Sequence, residues 1–126
     1  MYYDILAKLK NAARVHKDRL VVPFSKMDFA VAQALVAGGY LKSAEKDATG
    51  KKSVIVMRLI YKEKVSAVND FSLVSKPSRR QYIDYRSLRQ VKQGHGIGVI
   101  STPAGVMTTR EARKKKVGGE YLFEIW

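Results

Sequence analysis

The sequence predicts an α+β protein built as two small lobes. Three observations carry that reading. Two segments of the first half repeat their apolar residues at helical spacing, and short β-prone runs broken by Gly and Pro fill most of the second half. The third is size: 126 residues with 46% hydrophobic content can fill a core in one domain or two small lobes, but not in a large multidomain enzyme. At this length roughly two-thirds of the unfolded chain's surface is buried on folding.

The first half reads as α-β-α-β-β. Ile5, Leu6, Leu9, Ala12 and Ala13 fall on one helical face, with Lys8, Lys10 and Arg14 on the other, and Asp4 stands near the positive end of the helix dipole. Residues 19–22 form a short β-prone run stopped by Pro23. Ser25 with Asp28 three residues on is a capping-box-like start for a second helix. Its expected apolar stripe is Met27, Ala30, Val31, Ala34 and Leu35, and Gly38-Gly39 supplies the stop. Residues 40–46 and 52–61 read as two strands joined across Asp47-Ala48-Thr49-Gly50, with Ile55, Met57, Leu59 and Tyr61 on the face that covers the helices.

The second half reads as mostly β with short helices. Residues 66–74 have strand character, and Ser75-Lys76-Pro77-Ser78-Arg79-Arg80 breaks it with a charged turn. A short strand over 82–85 and one or two helical turns over 87–93, ended by Gly94, follow. Residues 99–101 are a strand, Thr102-Pro103-Ala104-Gly105 a turn, and Val106-Met107 extended again. Thr108 with Glu111 caps a short basic helix over 109–117, which Gly118-Gly119 ends. A closing strand over 120–126 puts Tyr121, Phe123 and Ile125 on one face. The expected boundary lies near 62–65, giving an N-terminal α+β lobe over 1–65 and a C-terminal, mostly β lobe over 66–126.

Charge narrows the function. Lys and Arg total 24 against 11 Asp and Glu, a formal net charge of +13, which favours polyanionic partners. There is no cysteine, so disulfide scaffolds, cysteine zinc sites and thiol catalysis are excluded. The apolar runs, such as Val54-Ile55-Val56-Met57, are far too short to span a bilayer. The first ten residues carry charge and helical spacing, not a secretory apolar segment. The expectation is a basic cytoplasmic protein with no membrane partner.

Eleven cations but only two acids, Asp84 and Glu111, lie between positions 76 and 116. They form clusters over 76–89 and 110–116 around one glycine- and hydroxyl-rich turn. Tyr82 and Tyr85 stand among Arg79, Arg80, Arg86 and Arg89, a mixture suited to stacking on unpaired bases while guanidinium groups hold phosphates. A solvated basic face with core tyrosines is the bland reading; the paired clusters favour nucleic acid.

Catalytic readings are weaker. Gly94-x-Gly96-x-Gly98 lacks the spacing and following helix of a dinucleotide loop. His16 and His95 have no ligand partners at metal-binding spacing, and Ser101 lacks a nucleophile elbow. No enzyme, metal or cofactor is expected.

The string Gly94-His95-Gly96-Ile97-Gly98-Val99-Ile100-Ser101-Thr102-Pro103-Ala104-Gly105-Val106-Met107-Thr108, then Arg110-Glu111-Ala112-Arg113 and Gly118-Gly119-Glu120, resembles the family of small-subunit ribosomal protein number eight. Ser75-Lys76-Pro77-Ser78-Arg79-Arg80-Gln81-Tyr82, Asp4-Ile5-Leu6-Ala7-Lys8-Leu9-Lys10-Asn11-Ala12 and Val22-Pro23-Phe24-Ser25-Lys26 are similar to further segments of it, in order along essentially the whole chain. The resemblance implies a structural constituent of the small ribosomal subunit that binds the central domain of small-subunit rRNA and supports its folding during assembly. It also implies neighbouring ribosomal proteins, numbers five and twelve among them, and repression of its own operon through an mRNA mimic.

Carried over by position, Ser101, Thr102 and Gly105 belong to the loop that meets RNA, Lys76, Arg80 and Tyr82 to a second basic segment, and Glu120 to the Gly-Gly-Glu block. Pro103 replaces a common Ser and Ser78 a common Gly, so a hydroxyl and a backbone donor are lost at 103. Ser101 and Thr102 hydroxyls can enter a shallow minor groove, donating and accepting at base edges and ribose. Gly105 allows close backbone approach or positive φ. Arg79, Arg80, Arg110, Lys114, Lys115 and Lys116 would hold phosphates, setting affinity more than specificity. Glu120 would either accept a bond from RNA or pair with a nearby cation. In the first lobe, Lys8, Lys10, Arg14 and Lys26 are expected phosphate contacts, with Asn11 added by analogy with the family's opening helix. Competing readings are a stand-alone mRNA-binding repressor and a nucleotide-dependent enzyme.

Overall fold

A computed structural model describes residues 2–62, 65–66, 68–76, 78–88 and 96–126. The chain divides into two compact units, Met1–Asn69 and Asp70–Trp126. The division falls beyond residues 62–65 because the short strands β4 (Tyr61–Lys62) and β5 (Val65–Ser66) pair with each other, whereas Asp70 exchanges backbone hydrogen bonds of 3.0 Å with Trp126.

In the first unit, α1 (Tyr2–Arg14) and α2 (Lys26–Ala37) accompany an antiparallel sheet of β1 (Arg19–Pro23), β2 (Leu41–Asp47) and β3 (Val54–Leu59), in the order β1-β3-β2. The helical stripe of α1 is buried at Ile5, Leu6, Leu9, Ala12 and Ala13, as its spacing dictates. The Ser25 side chain accepts from the Asp28 amide at 3.1 Å and caps α2. The stripe of α2 is rotated from the expected one: Asp28, Val31, Ala32, Ala34 and Leu35 are buried, while Met27 in the first turn is exposed. Ile55, Met57 and Leu59 supply the sheet's buried face; Tyr61, expected to continue it, instead donates its hydroxyl to the Lys17 carbonyl at 2.5 Å.

The second unit is centred on its last strand, β10 (Gly119–Ile125). It pairs with β6 (Phe71–Leu73), with β7 (Tyr82–Ile83) and with β8 (Ile97–Thr102), and β8 pairs in turn with β9 (Gly105–Thr108). Every pairing is antiparallel. The expected single strand over 66–74 is two pieces, because β5 belongs to the first unit and β6 to this sheet. A 3₁₀ turn at Tyr85–Ser87 precedes the helical turns expected over 87–93; Leu88 is already extended, and the rest of that segment lies outside the described residues.

A β-bulge decides which side chains of β10 share a face. Tyr121 stands opposite Ile100 and Phe123 opposite Val99, leaving Leu122 as the extra residue. Adjacent Ile100 and Val99 point to opposite faces, so Tyr121 does not share a face with Phe123 and Ile125, contrary to the simple alternation. Ile100, Met107, Ala112, Leu88 and Tyr121 form one buried cluster, while Val99, Phe123 and Ile125 are buried on the sheet's other side. The helix α3 (Thr109–Lys115) starts at Thr108, whose hydroxyl accepts from the Glu111 amide at 3.2 Å.

The candidate nucleic-acid interface

The sheet of the second unit aligns candidate residues across strands. Tyr82 is opposite Glu120 in the β7–β10 pair, Glu120 is opposite Ser101 in β10–β8, and Ser101 is opposite Val106 in β8–β9. Directly opposed residues project from one face, so Tyr82, Glu120, Ser101 and Val106 form a single row. Tyr82 is 73% exposed, a large aromatic ring left in solvent. Among the described residues the Ser101 side chain makes no hydrogen bond. Burying a bare hydroxyl costs free energy, and this one is half-exposed, where a partner can reach it.

Arg80 completes the row. One of its terminal nitrogens lies 3.2 Å from both Glu120 carboxylate oxygens. Of the two roles open to Glu120, the structure shows the cation pair. With Arg80 half-exposed the pair contributes little stability, but it holds the guanidinium on Glu120, the residue opposite Tyr82.

Two turns flank the row. At one end β8 reverses into β9 between Thr102 and Gly105. The Thr102 hydroxyl donates to the Gly105 carbonyl at 2.8 Å and accepts from the Ala104 amide at 3.1 Å, so it builds the turn. Gly105 has φ +121°, a left-handed conformation that favours glycine. At the other end Lys76 and Arg79 exchange backbone hydrogen bonds of 2.9 Å and display their cations at a tight turn. Buried Ser75 anchors that segment by accepting from the Gln81 amide at 2.8 Å, and the Gln81 carbonyl accepts from the Tyr121 amide at 2.9 Å.

Glycines at 118 and 119 do more than stop a helix. Lys116 already caps α3 in the left-handed region, at φ 56° and ψ 45°. A Cβ at Gly119 would strike the Ser101 carbonyl, and one at Gly118 the backbone of Ile83 and Asp84. These positions let β10 run close to both β7 and β8, which brings Tyr82, Glu120 and Ser101 into line. Gly98 has a similar packing cause: a Cβ there would run into the Tyr121 hydroxyl and the Thr109 methyl. Burial raises the Tyr121 pKa, and the neighbouring Glu124 carboxylate raises it further.

The cations divide into anchors and free groups. Arg113 donates to the Leu88 carbonyl and so fastens α3 to the segment after the 3₁₀ turn. Arg110, Lys114, Lys115 and Lys116 are exposed and have no ion pair among the described residues. In the first unit Lys8 and Asn11 share an exposed face of α1, and Lys26 begins α2, also exposed. Arg89, Lys92, Gly94 and His95 lie outside the described residues. Sequence reasoning missed the structural roles of Ser75 and Arg113. No local pattern marks either: Ser75 lies at a bend, and Arg113 is an exposed residue of a seven-residue helix whose buried positions are Thr109 and Ala112.

Among the described residues no group of three or more His, Asp or Glu could hold a metal, and no helix is long and apolar enough to cross a membrane. The family model of ribosomal protein S8 matches residues 2–126. The chain belongs to that family. Curated relatives agree over nearly the full length of both partners. The small ribosomal subunit protein uS8 of Bartonella tribocorum is 41% identical over 124 residues, covering 98% of this chain and 94% of the relative. Its namesakes from Crocosphaera subtropica and Erythrobacter litoralis are 39% and 37% identical at the same coverage. Ribosomal protein S8 is a structural family, and membership makes this chain a non-enzymatic ribosomal protein.

Proposed function

We propose that the chain is a structural constituent of the small subunit of the cytoplasmic ribosome that binds the central domain of small-subunit rRNA and supports its folding during assembly. The observation carrying this reading is the row of exposed Tyr82, paired Arg80 and Glu120, and half-exposed Ser101, set between two turns. An aromatic face, an oriented guanidinium and a small hydroxyl suit an irregular RNA helix, whose unstacked bases and ribose hydroxyls are accessible where a regular A-form major groove is not. Lys76, Arg79, Arg110, Lys114, Lys115 and Lys116 would supply sequence-independent phosphate contacts, joined in the first unit by Lys8, Asn11 and Lys26. The same face would take an operon mRNA folded to imitate the rRNA site, and neighbouring proteins, numbers five and twelve among them, would complete the partner set.

The test is binding to a central-domain rRNA fragment against a shuffled duplex across a salt series. A preference of at least about a thousandfold at physiological salt supports a dedicated rRNA partner. Equal affinities that collapse together with salt overturn it.

A further inference from the structure

The outer face of the first unit's sheet carries a charge arrangement that the row in the second unit does not explain. Arg19 of β1 stands directly opposite Arg58 of β3, and both are exposed. The Leu59 amide donates to the Asp18 carbonyl at 2.9 Å, which makes 18 and 59 a hydrogen-bonded pair. Alternation along an antiparallel ladder then makes Arg19 and Arg58 a non-hydrogen-bonded pair, the kind whose side chains lie closest. Like charges at directly opposite positions destabilise a sheet. Among the described residues neither guanidinium has an ion pair.

The pair borders an open hollow of about 430 Å³, lined also by Ser43, Glu45, Asp47 and Val56. Ser43 is opposite Arg58 and extends the arginine row; Glu45 is opposite Val56 in the next row of the same face. Asp47 is engaged locally, accepting from the Thr49 amide at 3.0 Å and the Thr49 hydroxyl at 2.7 Å. Glu45 makes no such bond among the described residues.

We propose that this hollow is a second RNA-backbone site, in which Arg19 and Arg58 together grip one phosphodiester. Two guanidinium forks side by side present parallel N–H donors to phosphate oxygens, and an anion between them removes their repulsion. The Glu45 carboxylate, one row away, selects the occupant. It repels an acidic peptide, whereas a ribose 2′-hydroxyl can donate to it. A polymer alternating phosphate with hydroxyl matches a wall alternating guanidinium with carboxylate. The inference rests on the RNA-binding reading and adds a site in the other unit.

The experiment measures binding of the full chain to intact small-subunit rRNA across a salt series, with the thermal midpoint taken without RNA. Arg19→Gln with Arg58→Gln should flatten the salt slope by about one unit and weaken binding about fivefold at physiological salt. The thermal midpoint should rise, because a repulsive pair is gone. An equal-charge control, Lys17→Gln with Lys42→Gln, should change neither slope nor midpoint. Wild-type slope and affinity in the arginine variant would overturn the site, as would a binding loss accompanied by a lowered midpoint or matched by the lysine control. Wild-type protein that fails to prefer rRNA over a shuffled duplex brings down the RNA reading itself, and this site with it.

Discussion

The two units solve the same problem in different ways. The first sheet buries Ile55, Met57 and Leu59 on one face and leaves Val21, Arg19 and Arg58 on the other; alternation is regular along β1 and the central strand β3, and the register shift between Leu41 and Ser43 is confined to the edge strand β2. The second sheet buries Ile100 and Tyr121 on one side and Val99, Phe123 and Ile125 on the other, and a bulge at Leu122 joins the two registers. A one-sided sheet is specified by side-chain pattern. The second also needs backbone close approach, supplied by Gly98, Gly118 and Gly119, and its candidate RNA row is a product of that approach.

The largest effect should come from breaking that approach. Gly119→Ala sets a Cβ against the Ser101 carbonyl, which is backbone and cannot swing aside, and should cost about 3 kcal/mol or more in urea unfolding. Gly105→Ala meets no atom within 4 Å and pays only for its φ of +121°, about 1–3 kcal/mol, with the turn alone disturbed. If the two variants lose equal stability, close approach is not what distinguishes the second sheet.

The helix caps sharpen the comparison at smaller scale. Ser25→Ala and Thr108→Ala each remove a hydroxyl that accepts from an amide three residues on, and each should cost about 1 kcal/mol by thermal or urea denaturation. Similar losses show that helix starts obey one local rule in both units, unlike the strands.

Alkaline pH gives a gentler contrast. The folded state raises the pKa of Tyr121 above the ordinary value of 10.0. Above about pH 10 the unfolded chain releases this proton while the folded chain keeps it, so stability present below pH 10 declines as pH rises. Tyr121→Phe should remove its share of that decline in a series of urea midpoints. Tyr61, also raised by burial and by Asp18 but far more exposed, should contribute less.

The helices, both caps and the hairpins were legible because their causes are local: spacing, a capping hydroxyl, a glycine in a turn. The candidate site was proposed from composition and motif. Its arrangement was not, since the Tyr82–Glu120–Ser101 row depends on three strands distant in sequence and on the Leu122 bulge, which no periodicity announces. Gly118 and Gly119 looked like a helix stop because that is what glycine after a basic helix usually does; their contacts come from strands β7 and β8, seen only after folding. Thr102 is expected to contact RNA from its residue type alone; that its hydroxyl also builds the turn, bonding Gly105 and Ala104, is visible only in the folded loop.

The most direct measurement is the ratio of affinities for a native central-domain rRNA fragment and a shuffled duplex, compared between two double variants. Tyr82→Ala with Ser101→Ala should lower that ratio at least about tenfold, because stacking on one aromatic is worth about 1–3 kcal/mol per base. Lys114→Ala with Lys115→Ala should weaken both RNAs alike and flatten the salt slope by about two units, leaving the ratio unchanged. A ratio that falls with the lysines and survives loss of Tyr82 and Ser101 would contradict the assignment of recognition to the row.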